Sequence, residues 1–278
     1  MTDRRLTPAN GRVAAEHLQG LVEAARYVSG ETAAIGVPVA DLWSTPDRRA
    51  RDRQLLLGEK VTVYERHDGM AFVSAAKDGY VGYVRATDLD DPVEVTHIIG
   101  VPASHLYPSP DFKVIPTSRL SFGARVRVVA ATDRFFETSE GAFVPRPHLR
   151  PANRPFTDPA SVAQLFFGVP YLWGGNSSDG IDCSGLIQAA LIASGHACPG
   201  DSDLQECAVG QEIGPDVEIV RGDLLFWKGH VAMAVDSDVM IHANAHHMAV
   251  AYEPIAAGVS RIEGQGDGPM TSRRRLSD

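Results

Sequence analysis

A segment of about 65 residues occurs twice in the first half of the chain, and this repeat limits the possible folds strongly. Residues 37–42 return as residues 101–106, and residues 57–63 return as residues 122–128, at offsets of 64 and 65 residues. Each copy alternates valines with polar residues, as β-strands do, and separates short apolar runs with glycine, proline and aspartate. A solenoid needs at least about three repeats. The repeat therefore predicts two tandem barrels of about five or six strands each.

The remainder of the chain divides around this repeat. Before it lies a polar leader whose apolar residues loosely follow helical spacing, which predicts a helix from Val13 to Tyr27. After it, residues 151–159 contain proline and asparagine in the manner of a domain boundary. The predicted parts are a leader (1–30), a first barrel (31–90), a second barrel (91–150) and a C-terminal domain (151–278).

The C-terminal domain has the pattern of an α+β fold. Asp158 and Pro159 are a typical N-cap and first residue of a helix. A second helix is predicted from Asp182 to Gly195, and it is expected to be buried because it is apolar on nearly all sides. Short apolar runs predict strands at residues 223–227, 230–235 and 239–243, with a last edge strand within 271–276.

Charge and composition exclude several classes of protein. The chain has 26 basic and 35 acidic residues, a net charge of −9, which argues against a nucleic-acid partner. Its one dense basic run, Arg273-Arg274-Arg275, is expected to cover a solvated edge. No apolar run approaches the roughly 18 residues of a membrane helix, so no membrane partner is expected. The sequence gives no sign of an oligomeric state.

The location of the protein is predicted from its first residues and its cysteines. The N-terminus lacks the apolar segment of a secretory signal. The three cysteines, Cys183, Cys198 and Cys207, suit a reducing compartment and indicate no disulfide framework. We therefore expect a cytoplasmic protein.

Cys183 is the candidate nucleophile. It stands at the first turn of the predicted buried helix, where the positive end of the helix dipole favours a thiolate. A small buried core cysteine is the alternative interpretation. The preceding loop, residues 171–182, contains several glycines and an aromatic pair, and glycines let the backbone approach a ligand closely. The loop favours a functional site.

Two histidines are placed to serve this thiol. His230 opens one predicted strand and His242 lies on the next, 12 residues later, which suits adjacent antiparallel strands. His230 would then accept the thiol proton, and His242 would fix the orientation of His230. Zinc is the competing interpretation, but the remaining cysteines and histidines lack the paired spacing of a metal site. We expect no metal and no cofactor.

Several motifs together resemble the NlpC-type cell-wall cysteine peptidases, which have a papain-like core. They are Tyr-Leu-Trp-Gly-Gly (171–175), Asp-Cys-Ser-Gly-Leu (182–186), Gly-Asp-Leu-Leu-Phe-Trp (222–227), Gly-His-Val-Ala (229–232) and Ile-His-Ala (241–243). The resemblance covers about residues 155–276. The two barrels resemble bacterial SH3-like domains, which accompany this catalytic domain in one branch, the intracellular γ-D-glutamyl-L-diamino-acid endopeptidases, also called dipeptidyl-peptidase VI. The implied fold is therefore multi-domain, with two all-β SH3-like barrels followed by an α+β papain-like domain.

The resemblance implies a substrate and a set of roles. The substrate is a peptidoglycan stem peptide with a free N-terminal L-Ala, cleaved between γ-D-glutamate and meso-diaminopimelate or L-Lys during wall-peptide recycling. Cys183 matches the nucleophile, His230 the base and His242 the orienting residue. Asp182 matches the carboxylate that binds the substrate ammonium group, and Tyr171 an aromatic residue that lines the site.

Other residues are candidates for substrate binding. Tyr80 is the expected contribution of the first barrel to closing the pocket, and Glu59 is a candidate second carboxylate. Further candidates are Ser184, Trp173, Asp201 and Ser202. The segment before Asp201 departs from the family pattern, because Gly200 stands where relatives usually have arginine after proline. This places the specificity for the diamino acid in question.

Three alternatives remain open. The same triad serves amidases or acyltransferases, which differ in their acyl substrates. The second alternative is a wall-binding module whose third domain is inactive. The third is a secreted murein hydrolase whose signal has been removed.

Overall fold

The computed structural model describes residues 3–266 and 268–276, and the fold divides into two compact units between Arg154 and Pro155. The first unit contains two SH3-like barrels and the second is an α+β papain-like domain, which confirms the predicted fold class. Among the described residues, no helix has the length and apolar character needed to span a membrane.

The first barrel is one antiparallel sheet of seven strands in the order β5-β4-β8-β7-β6-β3-β9. The strands are β3 (Glu31–Ile35), β4 (Val39–Trp43), β5 (Arg51–Leu56), β6 (Lys60–His67), β7 (Met70–Ala75), β8 (Val81–Arg85) and β9 (Leu89–Asp90). Alternate residues of these strands point inwards, and Leu42, Val61, Val73 and Val84 belong to one buried cluster.

The second barrel is built from three smaller antiparallel sheets, in the orders β13-β10-β17, β11-β12 and β14-β15-β16. Its strands are β10 (His97–Ile99), β11 (Ala103–Leu106), β12 (Ser118–Ser121), β13 (Arg125–Val126), β14 (Val128–Ala131), β15 (Phe135–Thr138), β16 (Phe143–Pro145) and β17 (Leu149–Pro151). Its core is smaller and contains Ile99, Leu120, Ala124 and Val144.

The sequence repeat corresponds to a repeated set of backbone hydrogen bonds. The N–H of Gly58 donates to the carbonyl of Ile35 at 2.8 Å, and the N–H of Gly123 donates to the carbonyl of Ile99 at 2.9 Å. Both glycines have a positive φ, of 76° and 85° respectively. The same tight turn therefore occurs at the same place in both barrels, and glycine adopts it with little steric cost.

The predicted helix in the leader is wrong. The segment instead forms two short parallel strands, β1 (Val13–Ala15) and β2 (Arg26–Val28), with a 3-10 turn over Glu16–Leu18. Gly20 between them adopts a φ of 82°, outside the helical region. Val13 is fully buried in a cluster with barrel residues, so packing against the barrel outweighs the weak helical pattern.

The second unit is built on a six-stranded antiparallel sheet in the order β20-β25-β21-β22-β23-β24. After the small hairpin β18 (Asn176–Ser177) and β19 (Gly180–Ile181), the sheet strands are β20 (Gln211–Glu212), β21 (Leu224–Trp227), β22 (His230–Ala234), β23 (Val239–Asn244), β24 (Ala249–Pro254) and β25 (Ser272–Arg275). The helices are α1 (Pro159–Gln164), α2 (Cys183–Ala193), α3 (Ser202–Ala208) and α4 (Ile255–Gln265). Helix α2 packs against β22 and β23 and is the buried central helix that its sequence predicts.

The last strand and its arginines differ from expectation. Strand β25 exists, but it lies between β20 and β21 and is not an edge strand. Arg275 donates to both carboxylate oxygens of buried Asp223 at 2.8 Å. Arg274 donates to the carbonyl of Gly210 at 3.1 Å, and Arg273 donates to that of Gly214. The basic run thus connects the sheet to residues 210–223 and is structural.

Replacing Gly58 with alanine should destabilise the first unit more than the same change at Gly69. Both glycines have a positive φ, 76° and 74°, which costs an alanine about 1–2 kcal/mol. A Cβ at Gly58 would in addition collide with the backbone of Arg125 in the second barrel, whereas a Cβ at Gly69 meets nothing within 4 Å. Chemical denaturation of both variants measures the difference in free energy of unfolding. Equal losses would contradict close packing of the barrels at this turn.

Candidate active site

Cys183 is the first residue of α2, and its side chain is mostly buried, with 7% of the residue exposed. Asp182 caps the helix, because its Oδ1 accepts hydrogen bonds from the Gly185 N–H at 2.6 Å and from the Ser184 hydroxyl at 3.0 Å. The unpaired N–H groups of the first turn and the helix dipole favour negative charge at this end. The position therefore suits a thiolate.

The loop before Cys183 is held directly against the start of α2. The second carboxylate oxygen of Asp182 accepts a hydrogen bond from the N–H of Gly174 at 3.0 Å. A Cβ at Gly185 would collide with the carbonyl of Gly175, so the helix and the loop backbone approach more closely than any side chain would allow. Asp182 thus fixes the helix and the loop relative to each other.

Tyr171, at the start of this loop, lies close enough to Cys183 and Asp182 to interact with them electrostatically. Burial raises the pKa of its phenol, and the charges of Cys183 and Asp182 raise the pKa further. The hydroxyl is therefore protonated at neutral pH and is able to donate a hydrogen bond into the site. Trp173 of the same loop is 73% exposed.

The structure brings the two predicted histidines together. His230 begins β22 and His242 lies on β23, and the pairing of Met233 with Ile241 sets the register between these strands. The two rings join through a hydrogen bond between His230 Nε2 and His242 Nδ1 of 2.9 Å. His242 is fully buried and His230 is partly exposed.

Two residues that the sequence analysis missed extend this pair. Glu253 on β24 places Oε2 at 3.1 Å from His242 Nε2. Arg261 on α4 donates to the same carboxylate, from Nε to Oε1 at 2.8 Å and from a terminal nitrogen to Oε2 at 2.7 Å. The short run Val-Ala-Tyr before Glu253, which contains a β-branched and an aromatic residue, was the available signal for this strand. The result is a hydrogen-bonded chain from His230 to Arg261.

Burial controls the charge of this chain. Loss of solvation lowers the pKa of His230 to about 3 and that of His242 to about 4. Hydrogen bonds from Arg261 lower the pKa of Glu253 below its ordinary value. At neutral pH the two imidazoles of the resting protein are therefore neutral, and the carboxylate is charged and paired with a guanidinium.

The segment around Asp201 is attached to the start of α2 through another residue that the sequence analysis missed. Gln205, on α3, donates from Nε2 to the carbonyl of Ser184 at 2.8 Å and to that of Pro199 at 3.0 Å. Asp201 is at the N-cap position of α3, and Ser202, its first residue, is buried. Both predicted residues are thus on a segment held against the helix that carries Cys183.

Glu59 and Tyr80, two of the predicted substrate-binding residues, belong to the first unit. Both oxygens of the Glu59 carboxylate lie 2.9 Å from the Lys77 ammonium group, and both side chains are largely buried. Tyr80 is 3% exposed and belongs to the core cluster of the first barrel. Their predicted contact with substrate stays a prediction.

Comparison with known proteins agrees with this arrangement. The profile of the NlpC/P60 family matches residues 168–261, and that of the bacterial dipeptidyl-peptidase SH3 domain matches residues 42–89. The gamma-D-glutamyl-L-lysine dipeptidyl-peptidase of Bacillus subtilis is 32% identical over 68% of this chain and 71% of its own length. The chain belongs to the NlpC/P60 family. It is a hydrolase of the cysteine-peptidase type.

Two further relatives are similar to this chain over a larger share of its length. Dipeptidyl-peptidase 6 of Lysinibacillus sphaericus is 27% identical over 74% of this chain and 85% of its own length. A crystal structure of an NlpC/P60 family protein from Bacillus cereus superposes with a TM-score of 0.74. It is 22% identical and covers 88% of this chain and 99% of that one, so the similarity extends through both units of the fold.

His242 and Glu253 of this hydrogen-bonded chain also belong to the one group of possible metal ligands found among residues 3–266 and 268–276. Donor atoms of His242, His247 and Glu253 lie within 4.8 Å of one another. The Glu253 carboxylate is already bound by the Arg261 guanidinium, whose positive charge opposes a cation there. The site of this NlpC/P60 protein therefore fits a chain of hydrogen bonds better than a metal centre.

Removing the Asp182 carboxylate should loosen the loop and the helix together. In Asp182→Ala, the buried N–H groups of Gly174 and Gly185 lose their acceptor, at a cost of about 1–3 kcal/mol each. Asp182→Asn retains one acceptor oxygen and should lose less stability. The free energy of unfolding of both variants, with protease susceptibility at residues 171–180, measures the effect. An alanine variant as stable as the native protein would contradict the role of Asp182.

Acidification should destabilise the second unit through His230 and His242, whose pKa values are lowered in the folded protein. Their pKa values of about 3 and about 4 lie below the ordinary 6.5, so between these limits the unfolded chain binds protons that the folded chain does not. The free energy of unfolding should therefore fall as the pH drops from about 6.5 towards 4. His230→Gln should reduce the slope, measured by denaturant titration at several pH values. His246→Gln, at an exposed position in the turn after β23, is the control, and equal slopes in both variants would count against this assignment.

Proposed function

We propose that this protein hydrolyses the bond between γ-D-glutamate and a diamino acid in peptidoglycan stem peptides that carry a free N-terminal L-Ala. The observation that carries the proposal is a thiol at the first residue of a buried helix, in a domain whose sheet joins His230 to His242. The names of two relatives, gamma-D-glutamyl-L-lysine dipeptidyl-peptidase and dipeptidyl-peptidase 6, support this substrate class.

Cys183 is the proposed nucleophile. Its proton passes to His230, and the thiolate attacks the γ-carbonyl carbon of the D-glutamate. The carbonyl oxygen becomes an oxyanion, stabilised by backbone N–H groups at the start of α2, including that of Cys183. One such donor contributes about 3–4 kcal/mol in other hydrolases. The protonated hydroxyl of Tyr171 is a further donor on this side of the site.

His230 then serves as acid and later as base. It gives its proton to the amine of the diamino acid as the carbon–nitrogen bond breaks, leaving a γ-glutamyl thioester on Cys183. A water molecule loses a proton to His230 and attacks the thioester. The products are the L-Ala-D-Glu dipeptide and the regenerated thiol. His242 holds the imidazole of His230 in one orientation through both steps.

The free amine of the substrate needs an anionic partner in a site closed to water. Asp182 is the proposed partner, and Ser184 hydrogen-bonds to it. Its carboxylate also accepts hydrogen bonds from the backbone N–H groups of Gly174 and Gly185, which fix its orientation next to Cys183. Tyr80 and Glu59 of the first barrel stay proposed substrate contacts.

The diamino acid is proposed to be L-Lys or meso-diaminopimelate. The segment with Gly200, Asp201 and Ser202 is the proposed contact. Trp173, exposed beside the loop, is a proposed stacking surface on the same substrate. The three free cysteines support action in the reducing environment of the cytoplasm, where the protein would process wall peptides for reuse.

The proposal predicts cleavage of L-Ala-γ-D-Glu-L-Lys or L-Ala-γ-D-Glu-meso-diaminopimelate to L-Ala-D-Glu and the free diamino acid, read by mass spectrometry. The same peptides with an acetylated N-terminus should resist cleavage, because they lack the ammonium group that Asp182 would bind. Cys183→Ala should abolish turnover without unfolding the protein. Cys207→Ala, at an exposed cysteine on α3, is the matched control and should retain activity.

The outcomes separate the alternatives. Equal cleavage of free and acetylated peptides would remove the amine requirement and indicate a more open wall hydrolase. Cleavage of neither peptide, with Cys183 still reactive towards iodoacetamide, would indicate an amidase or acyltransferase. Turnover by Cys183→Ala would overturn the assignment of the nucleophile.

A further inference from the structure

The two-histidine chain ends on a buried ion pair that the proposed reaction does not itself require. Glu253 is 8% exposed and Arg261 has 18% of its side chain exposed, while His242 between them and His230 is fully buried. The guanidinium binds the carboxylate through two nitrogens, which is the most directional geometry available to such a pair. Glu253 is therefore held rigidly, and its Oε2 is directed at His242.

The ionised carboxylate of Glu253 determines which nitrogen of His242 carries the proton. A carboxylate only accepts hydrogen bonds, so the hydrogen bond of 3.1 Å between Glu253 and His242 requires a proton on His242 Nε2. A neutral imidazole has one N–H, and Nδ1 of His242 is then an acceptor. The hydrogen bond of 2.9 Å to Nδ1 consequently requires a proton on Nε2 of His230. This leaves Nδ1 of His230 with a free lone pair.

The other protonation states are unfavourable in this environment. A proton on His242 Nδ1 would set the lone pair of Nε2 against the negative carboxylate. A doubly protonated His242 would add a positive charge near Arg261 at a fully buried position. The titratable groups that face His242 are His230 on β22, Glu253 on β24, His247 in the turn after β23 and Arg261 on α4. Arg261 therefore neutralises Glu253 and helps to keep His242 uncharged.

The packing of helix α4 places Arg261 next to Glu253. The helix begins at Ile255, directly after β24, and its Ile255 and Ile262 belong to a buried cluster with Met240 of the neighbouring strand. A Cβ at Gly258 would collide with the end of Met240 and approach the Glu253 carboxyl group to 3.2 Å. The absence of a side chain at Gly258 thus lets the helix lie against the carboxylate.

We infer that Glu253, held by Arg261, is a positioning residue that sets the tautomers of both histidines, so that His230 presents Nδ1 as the base. The inference rests on the proposed function only for the roles of Cys183 and His230. When His230 Nδ1 accepts the proton of Cys183, the positive charge on its ring is stabilised through His242 by the Glu253 carboxylate. Glu253 and Arg261 thus extend the proposed triad of Cys183, His230 and His242 to five residues.

Glu253→Gln tests the inference, and Glu263→Gln, at an exposed position on α4, is the control. In Glu253→Gln the negative charge is lost, and the amide offers a donor or an acceptor to His242. We expect kcat for the γ-glutamyl peptide to fall on the order of 10–100-fold, the loss that is typical when the outer hydrogen-bond partner of a metal-binding histidine is removed, with KM little changed. Arg261→Lys retains the charge but not the two-nitrogen geometry, and should lose less. The control should match the native protein.

Two measurements need no substrate and are independent of the proposed function. Nitrogen-15 spectra of the imidazoles should show protonated Nε2 on His242 and His230 in the native protein, and a mixture in Glu253→Gln. The pH at which iodoacetamide alkylates Cys183 half-maximally should rise in Glu253→Gln, because the imidazolium that accompanies the thiolate loses its counter-charge. Both remain measurable if the native protein cleaves no γ-glutamyl peptide, in which case the proposed function fails and the inference is still tested.

The inference is overturned if Glu253→Gln keeps the native tautomers and the native alkylation profile. If kcat and the thermal stability of Glu253→Gln both fall while the tautomers stay native, the ion pair is only structural and the inference is overturned. Should Glu253→Gln fail to fold, the same spectra and alkylation profile of Arg261→Lys decide the question, and native values in that variant overturn the inference.

Discussion

The hydrogen bonds of the Asp182 carboxylate fix the geometry around Cys183, the proposed nucleophile. The carboxylate caps α2, binds the Ser184 hydroxyl and accepts the N–H of Gly174 from the loop before it. A cysteine at a helix start is a better nucleophile only if the helix start is fixed relative to the groups that surround it. Asp182 supplies this constraint from the residue next to Cys183, so the helix and the loop are aligned by local sequence alone.

The histidines meet a second constraint, which is electrostatic. Burial makes an imidazolium expensive, and the pKa values of about 3 and about 4 for His230 and His242 follow from it. A base that is too weak would not take the thiol proton. The negative charge of the buried Glu253 carboxylate compensates for this. Glu253 is paired with Arg261 and still directs one oxygen at His242. The imidazole chain is thus polarised without carrying a net charge at rest.

The sequence predicted the parts of the site that lie within short contiguous motifs. Asp182, Cys183 and Ser184 are adjacent, and His230 and His242 sit on neighbouring strands joined by a turn, so spacing was enough to bring each set together. Glu253 was missed because its strand had no flanking motif and because a glutamate beside a proline reads as surface. Arg261 needed knowledge of where α4 packs, which only the folded sheet provides. The leader helix failed for the same reason, since its weak periodicity was outweighed by packing of Val13 on the barrel.

The proposed nucleophile, the proposed base and the residues that position them all lie within the second unit. Cys183, His230, His242, Glu253 and Arg261 are fixed by α2, by three neighbouring strands and by α4 of one domain. The reactivity of the thiol therefore follows from this domain by itself. In the first unit, the buried carboxylate of Glu59 is neutralised by Lys77, and Tyr80 packs in the core of the first barrel. The buried carboxylate of Glu59 therefore already has a cationic partner within its own unit.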